Sequence, residues 1–196
     1  MSRKIGPGFC EQDMLTLSVR RCMDNPHAKV QLASGPPAGS YAAMTNLPLR
    51  TLFFEDLEVG MTERLEKTVA ASDVVGFAQL TGDRNPIHLS EHFAAKTSFG
   101  RRIAHGLYTA SLISAVLGTR LPGPGAIYIS QTLNFRAPVK IGDTVKVTVT
   151  VAELIPERSR ARLSCLCEVD GDVVLDGEAL VKVPSEAKGK RPQVKL

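Results

Sequence analysis

The densest gathering of chemically capable residues in the chain is Leu80-Thr81-Gly82-Asp83-Arg84-Asn85-Pro86-Ile87-His88, followed after a spacer by Phe99-Gly100-Arg101-Arg102-Ile103-Ala104-His105-Gly106. Asp83 and His88 stand on either side of Asn85-Pro86, where a bend can bring a carboxylate and an imidazole to one point. Such a pair can hold one water between them. An imidazole ordinarily titrates near 6.5, so His88 is suited to exchange protons near neutrality, while Asp83 can orient it or pass back the returning proton. Positioned proton transfer of this kind is worth roughly 10²–10⁴-fold in rate. Gly106 opens a long apolar segment and offers a backbone N–H with no side chain in the way. Backed by a helix dipole, that N–H suits negative charge developing on an oxygen, a contribution of about 10²–10³ in rate.

Each of these residues also has a plain structural reading. Asp83 can be a turn residue bonded to its own backbone, and His88 a partly buried polar side chain. Asn85-Pro86 reads as turn chemistry and as support for the pair together. Gly106 can be a close-packing glycine, and His105 reads as a side chain at the start of a helix rather than a second base. Ser114, inside an apolar helix, can bond back to its own backbone. His88-Leu89-Ser90-Glu91-His92 formally matches the H-x-x-E-H signature of zinc proteases. That signature needs one continuous helix across both histidines, whereas Ser90 reads as an N-cap, so no metal is expected. Arg101 and Arg102 are candidates to grip phosphates, with Lys140 and Lys146 on weaker grounds; a solvated loop explains them equally well.

The elements that must position these residues can be read from periodicity and punctuation. Gly60 to Val69 is strand-like, and Ser72 reads as the N-cap of a helix over Asp73 to Leu80 with Val74, Val75, Phe77 and Ala78 as its apolar stripe. Thr81 to Pro86 must turn, a short helix spans Ser90 to Ala95, and one long helix starts near His105 or Gly106 and runs toward Leu121. Pro122-Gly123-Pro124-Gly125 stops it, and without the Lys-Ser/Thr ending of a P-loop it is a turn. Strands follow over Ala126 to Phe135, Thr144 to Leu154, Arg160 to Val169 and Val173 to Val183. Thr144 to Val151 alternates polar residues with valines, as a sheet with one wet and one dry face requires. The expected fold class is therefore α+β, an antiparallel sheet wrapped on one long apolar helix.

At 196 residues and 43% hydrophobic content the chain suits one sizeable core. Residues 1–43 have no sustained period and a Gly/Pro-rich run, and read as a disordered N-terminal extension. Residues 44–184 carry the folded domain, and 185–196 form a basic tail. The net charge of +4 collects largely near the ends, which gives no case for nucleic-acid binding. The longest uncharged run falls short of the roughly 20 residues of a bilayer span, and the start lacks a secretory pattern. Cys165 and Cys167 lie two apart in a strand, on one face with Ala161 and Leu163, and read as buried and reduced. These features predict a cytoplasmic protein, with a mitochondrial presequence in residues 1–43 as the rival reading.

Leu-Thr-Gly-Asp-x-Asn-Pro-Ile-His followed by Phe-Gly-x-x-Ile-Ala-His-Gly resembles the hydratase 2 motif of MaoC-like dehydratases and (R)-specific enoyl-CoA hydratases. Leu117-Gly118-Thr119-x-Leu121-Pro122-Gly123-Pro124-Gly125 and Phe135-x-Ala137-Pro138-Val139-x-Ile141-Gly142-Asp143 are similar to that family too, so the likeness runs from about Leu52 to Val183. It implies a single hotdog fold and a homodimer whose two sites draw on both chains. It also implies an acyl-CoA or acyl-carrier-protein thioester substrate and no cofactor. By the same resemblance Asp83 and His88 are the catalytic pair, Asn85 and Ser114 supporting groups, and Gly106 the oxyanion donor. The implied reaction is reversible hydration of a trans-2-enoyl thioester to the (3R)-3-hydroxyacyl thioester. A hotdog acyl-thioesterase and a non-catalytic acyl-thioester-binding subunit are the rivals. Against the first, His105 to Thr119 holds no Asp or Glu; against the second, both Asp83 and His88 are present.

Overall fold

The structure, a computed structural model, describes residues 49–186. The expected extension over 1–43 and nearly all of the tail over 185–196 lie outside the described residues. The described elements are β1 (Thr62–Thr68), α1 (Ala71–Thr81), α2 (Pro86–Leu89), α3 (Glu91–Ala94), α4 (Gly106–Thr119), β2 (Ile127–Gln131), β3 (Asn134–Phe135), β4 (Thr144–Ile155), β5 (Arg160–Val169) and β6 (Asp172–Lys182). Short 3-10 turns sit at Phe54–Asp56 and Pro156–Arg158. All strand pairings are antiparallel, in the order β1-β4-β5-β6-β2, with β3 also paired to β6. The sheet packs around α4, which is the hotdog arrangement expected.

The alternation in β4 decides which side of the sheet is dry. Val145, Val147, Val149 and Val151 are fully buried, and the register sets Val147 and Val149 opposite Cys167 and Cys165 of β5. Leu112, Ile113, Val116 and Leu117 of α4 complete the same core. Full burial of each such aliphatic side chain is worth about 1.5–3 kcal/mol relative to exposure. Burial pushes the thiol of Cys165 up to about 11 and that of Cys167 up to about 12, so both remain protonated and unreactive near neutrality.

Local details depart from expectation at three places. The N-cap of α1 is Ala70, not Ser72, because the Asp73 carboxylate reaches back to accept the Ala70 N–H at 2.9 Å and performs the capping itself. Asp73 also accepts from Tyr108 of α4 at 3.2 Å and pairs with Lys67 of β1 at 2.9 Å, tying three elements together. The apolar stripe of α1 is narrower than expected. Val74 and Ala78 share the buried face, while Val75, one residue round the helix, is 40% exposed. The single strand expected over Ala126 to Phe135 is broken at Thr132-Leu133. There Thr132 crosses β6, donating its N–H to Glu178 O at 2.9 Å while its hydroxyl accepts the Glu178 N–H at 2.9 Å.

That crossing depends on Gly177, since a Cβ built there would lie 1.9 Å from the Thr132 carbonyl oxygen, a backbone atom with little room to retreat. Gly177→Ala is expected to destabilise the fold by about 1–3 kcal/mol, the usual range for overpacking. Urea unfolding checks it; a midpoint equal to that of the parent chain would contradict the crowding described.

Candidate active site

Residues 81–90 fold into a series of local hydrogen bonds. The Asp83 N–H donates to Thr81 Oγ1 at 3.3 Å, and Asp83 Oδ1 accepts the N–H of Asn85 at 3.2 Å. Asn85 in turn caps α2: its side chain accepts the Ile87 N–H at 3.2 Å, its carbonyl accepts the His88 N–H at 3.0 Å, and Pro86 takes the first helical position. The structural and the chemical readings of Asp83 are thus compatible, because one carboxylate oxygen shapes the turn and the other remains for chemistry. Asn85 acts on the pair from beneath, by starting the helical turn that carries His88. Ser90 is the N-cap of α3, accepting from the Phe93 N–H at 3.2 Å, and its extended backbone separates α2 from α3. His88 and His92 therefore sit on two different short helices, and the continuous helix a zinc-protease signature requires is broken.

The second motif segment, residues 101–106, closes over the first. His88 Nδ1 lies 2.9 Å from the carbonyl oxygen of Ile103. A carbonyl only accepts, so Nδ1 carries the hydrogen, and in the neutral ring Nε2 is left as the base. Arg102 Nε donates to the His88 carbonyl at 2.8 Å, and Arg101 donates to Ile141 O at 2.9 Å, so both arginines strap the segment to its surroundings. His88 is 9% exposed. Burial lowers its pKa from the ordinary 6.5, and the neighbouring His105 adds to this; the Ile103 carbonyl and Asp83 oppose them without reversing the direction.

His105, the N-cap residue of α4, is a member of the site that sequence reading placed only at the helix start. It is 2% exposed, its Nε2 lies 3.0 Å from the backbone carbonyl of Asp83, and its ring stacks on His88 with centroids 3.8 Å apart. The only signal for it in the sequence was a histidine beside the candidate oxyanion glycine. One ligand-type atom from each of Asp83, His88 and His105 falls within 4.8 Å of the others. A metal would need both imidazole lone pairs to converge. The rings instead stack at 31° with centroids 3.8 Å apart, which sets their in-plane lone pairs in two separate layers and suits joint ligation poorly. A gap of that size between carboxylate and imidazole is one that a single water, at hydrogen-bond lengths of about 2.8 Å, can span.

Gly106 is the first residue of α4, where the helix leaves its leading N–H groups without partners along the chain. A Cβ built on it would meet the Phe135 ring at 2.8 Å, so glycine allows this aromatic side chain of β3 to lie against the helix start. Asp83, His105, Gly106 and Phe135 line one cavity of about 350 Å³, together with Phe77, Thr81 and Leu107. On the far side of Gly106 and Phe135 a second cavity of about 320 Å³ is walled by Ile103, Ala104, Val139 and Val174. Ser114 stands elsewhere: two turns along α4, exposed, it lines a cavity of about 330 Å³ with Ser111, Tyr128 and Gln131. Within one chain the structure brings Asp83, His88, Asn85 and Gly106 together and leaves Ser114 apart.

Comparison with known proteins gives the family. The family of the MaoC like domain matches residues 56–164. A 3-hydroxybutyryl-CoA dehydratase of Methylorubrum extorquens is 78% identical over 138 residues, 70% of this chain and 88% of the relative. An (R)-specific enoyl-CoA hydratase of Rhodospirillum rubrum is 53% identical over 133 residues, 68% of this chain and 92% of the relative. Among solved structures, the (R)-hydratase from A. caviae involved in PHA biosynthesis superimposes with a TM-score of 0.65 at 44% identity, over 66% of this chain and 99% of that one. With Asp83, His105 and Gly106 lining one cavity, His88 stacked on His105, and relatives this similar, the chain belongs to the MaoC-like dehydratase family.

Proposed function

We propose that this protein catalyses the reversible addition of water to a trans-2-enoyl-CoA, giving the (3R)-3-hydroxyacyl-CoA, with Asp83 and His88 as its acid/base pair. The observation that carries the reading is the approach of the Asp83 carboxylate to a His88 ring whose proton is fixed on Nδ1. A water held between the two loses a proton to His88 Nε2 as its oxygen bonds to the β-carbon. The electron pair of the double bond moves toward the thioester oxygen, where the Gly106 N–H and the start of α4 stabilise it. The α-carbon then takes back a proton through the Asp83–His88 pair, so the elements of one water are added and both groups return to their starting state. The names of the relatives at 78% and 53% identity support this substrate class, and α4 contains no carboxylate of the kind a thioesterase would use.

A homodimer fits the surface. Ile127, Tyr128 and Ile129 of the terminal strand β2 are 40–59% exposed, with Leu107 and Phe135 beside the site also uncovered. A second copy paired along that strand would cover them and close the cavities over the exposed Asp83. Ser114, on the same side as Tyr128 and Gln131, would then face the joint. Two buried, protonated cysteines fit a reducing, cytoplasmic setting. No helix among the described residues is long and apolar enough to cross a membrane.

Crotonyl-CoA tests the reaction: the enoyl absorbance is expected to fall without release of free thiol, whereas thiol release would identify a thioesterase. Asp83→Asn is expected to lower kcat by about 10²–10⁴, the worth of a positioned proton-transfer group, with an unchanged melting temperature. Because burial lowers the His88 pKa and His88 must be neutral to act as base, kcat/KM should lose activity only below pH 6.5 on the acid side. An acid limb centred above 6.5 would remove His88 from that role. Sedimentation equilibrium is expected to return twice the chain mass at micromolar concentration; a monomer there would count against the joined sheets.

A further inference from the structure

We infer that His105 is a positioning residue for the acid/base pair, holding Asp83 and His88 at working distance by a hydrogen bond to one and a ring stack on the other. The inference rests on the hydratase reading but uses contacts that the reading leaves unexplained. Asp83 itself is exposed and follows directly on the end of α1, in a turn whose other hydrogen bonds reach no more than four residues along the chain. The bond from His105 Nε2 to the Asp83 carbonyl, 22 residues away in sequence and 3.0 Å long, ties that turn to the N-cap of the central helix. His88 is held to the same short segment through Ile103 O. Both members of the pair are therefore referred to one stretch of backbone, residues 103–105.

The chemistry of the ring supports a specific use. The Asp83 carbonyl can only accept, so Nε2 of His105 carries the hydrogen, and Nδ1 is buried with no hydrogen-bond partner among the described residues. A phenylalanine or leucine would fill this space without leaving a polar atom stranded. The position holds a histidine because the Nε2 donor is needed. On its ring the stack on His88 is close, at 3.8 Å, and Phe77 packs 5.1 Å away, so the imidazole has little freedom to turn. With Nε2 at a carbonyl and Nδ1 buried, His105 offers no accessible nitrogen to substrate and acts through Asp83 and His88.

Three variants separate the donor from the ring. His105→Gln places an amide N–H near the position of Nε2, His105→Asn stops one methylene short, and His105→Phe keeps a ring without a donor. With crotonyl-CoA, Asn and Phe are expected to lower kcat by about 100-fold, the cost of roughly 1 Å of misplacement, with KM within threefold of the parent. Gln is expected to recover at least about tenfold over Asn. Should Phe fail to fold, the Gln and Asn pair alone decides. Equal kcat for Gln and Asn, or a folded Phe variant as fast as the parent, would overturn the inference. An inactive parent chain would sink the hydratase reading instead. Crystal structures of the Gln and Asn variants then test His105 without any activity, since Gln should preserve and Asn should lose the parent spacing of Asp83 and His88. The same spacing in both variants would overturn the assignment.

Discussion

A backbone carbonyl has no hydrogen to give, and the 2.9 Å contact between Ile103 O and His88 Nδ1 therefore determines how the whole site is arranged. It selects the ring nitrogen that carries the proton, sets the plane of the imidazole, and leaves Nε2 as the only nitrogen available for chemistry. Replacing that carbonyl with a carboxylate would favour the charged ring, whereas a neutral acceptor in a buried place keeps the imidazole poised as a base. The surrounding architecture serves this one bond. Residues 101–105 are led past His88 by the Arg102 strap and by the backbone bond from Ala104 N to Val139 O. From there α4 descends into the sheet.

The site combines a rigid floor with an open roof. His88 and His105 are buried and mutually stacked, and α4 below them is anchored in the core by Leu112, Ile113, Val116 and Leu117. Asp83, Gly106, Leu107 and Phe135 are exposed above. Of the proposed pair, Asp83 is reached from outside while His88 is shielded. The uncovered apolar residues along β2 and beside Gly106 are those that the proposed second copy would cover.

The residues 81–90 illustrate how a turn and an active site can be the same object. Every local hydrogen bond there is one that Asp, Asn, Pro and Ser form in ordinary turns and caps. Their structural role brings the carboxylate and imidazole near each other and does not compete with the catalytic role proposed for them. What distinguishes this turn from an ordinary one is the long-range partner each end meets, Ile103 for His88 and His105 for Asp83.

The sequence by itself determined whatever depends on neighbours a few residues apart. The valine alternation of β4, the Ser90 cap, the breaking of the long helix before Pro122 and the bend at Asn85-Pro86 all follow from contacts within one turn or one pleat, so residue type suffices to read them. Even at this range two capping groups compete, and Asp73 rather than Ser72 closes α1 because a carboxylate three residues in can reach back to the open N–H. Only the tertiary structure decided the tautomer of His88, the inclusion of His105, the break at Thr132 over Gly177 and the separation of Ser114 from the pair. Those depend on segments 15, 22 and 46 residues apart meeting within hydrogen-bond distance, and no local pattern encodes the angle at which two distant stretches of chain meet.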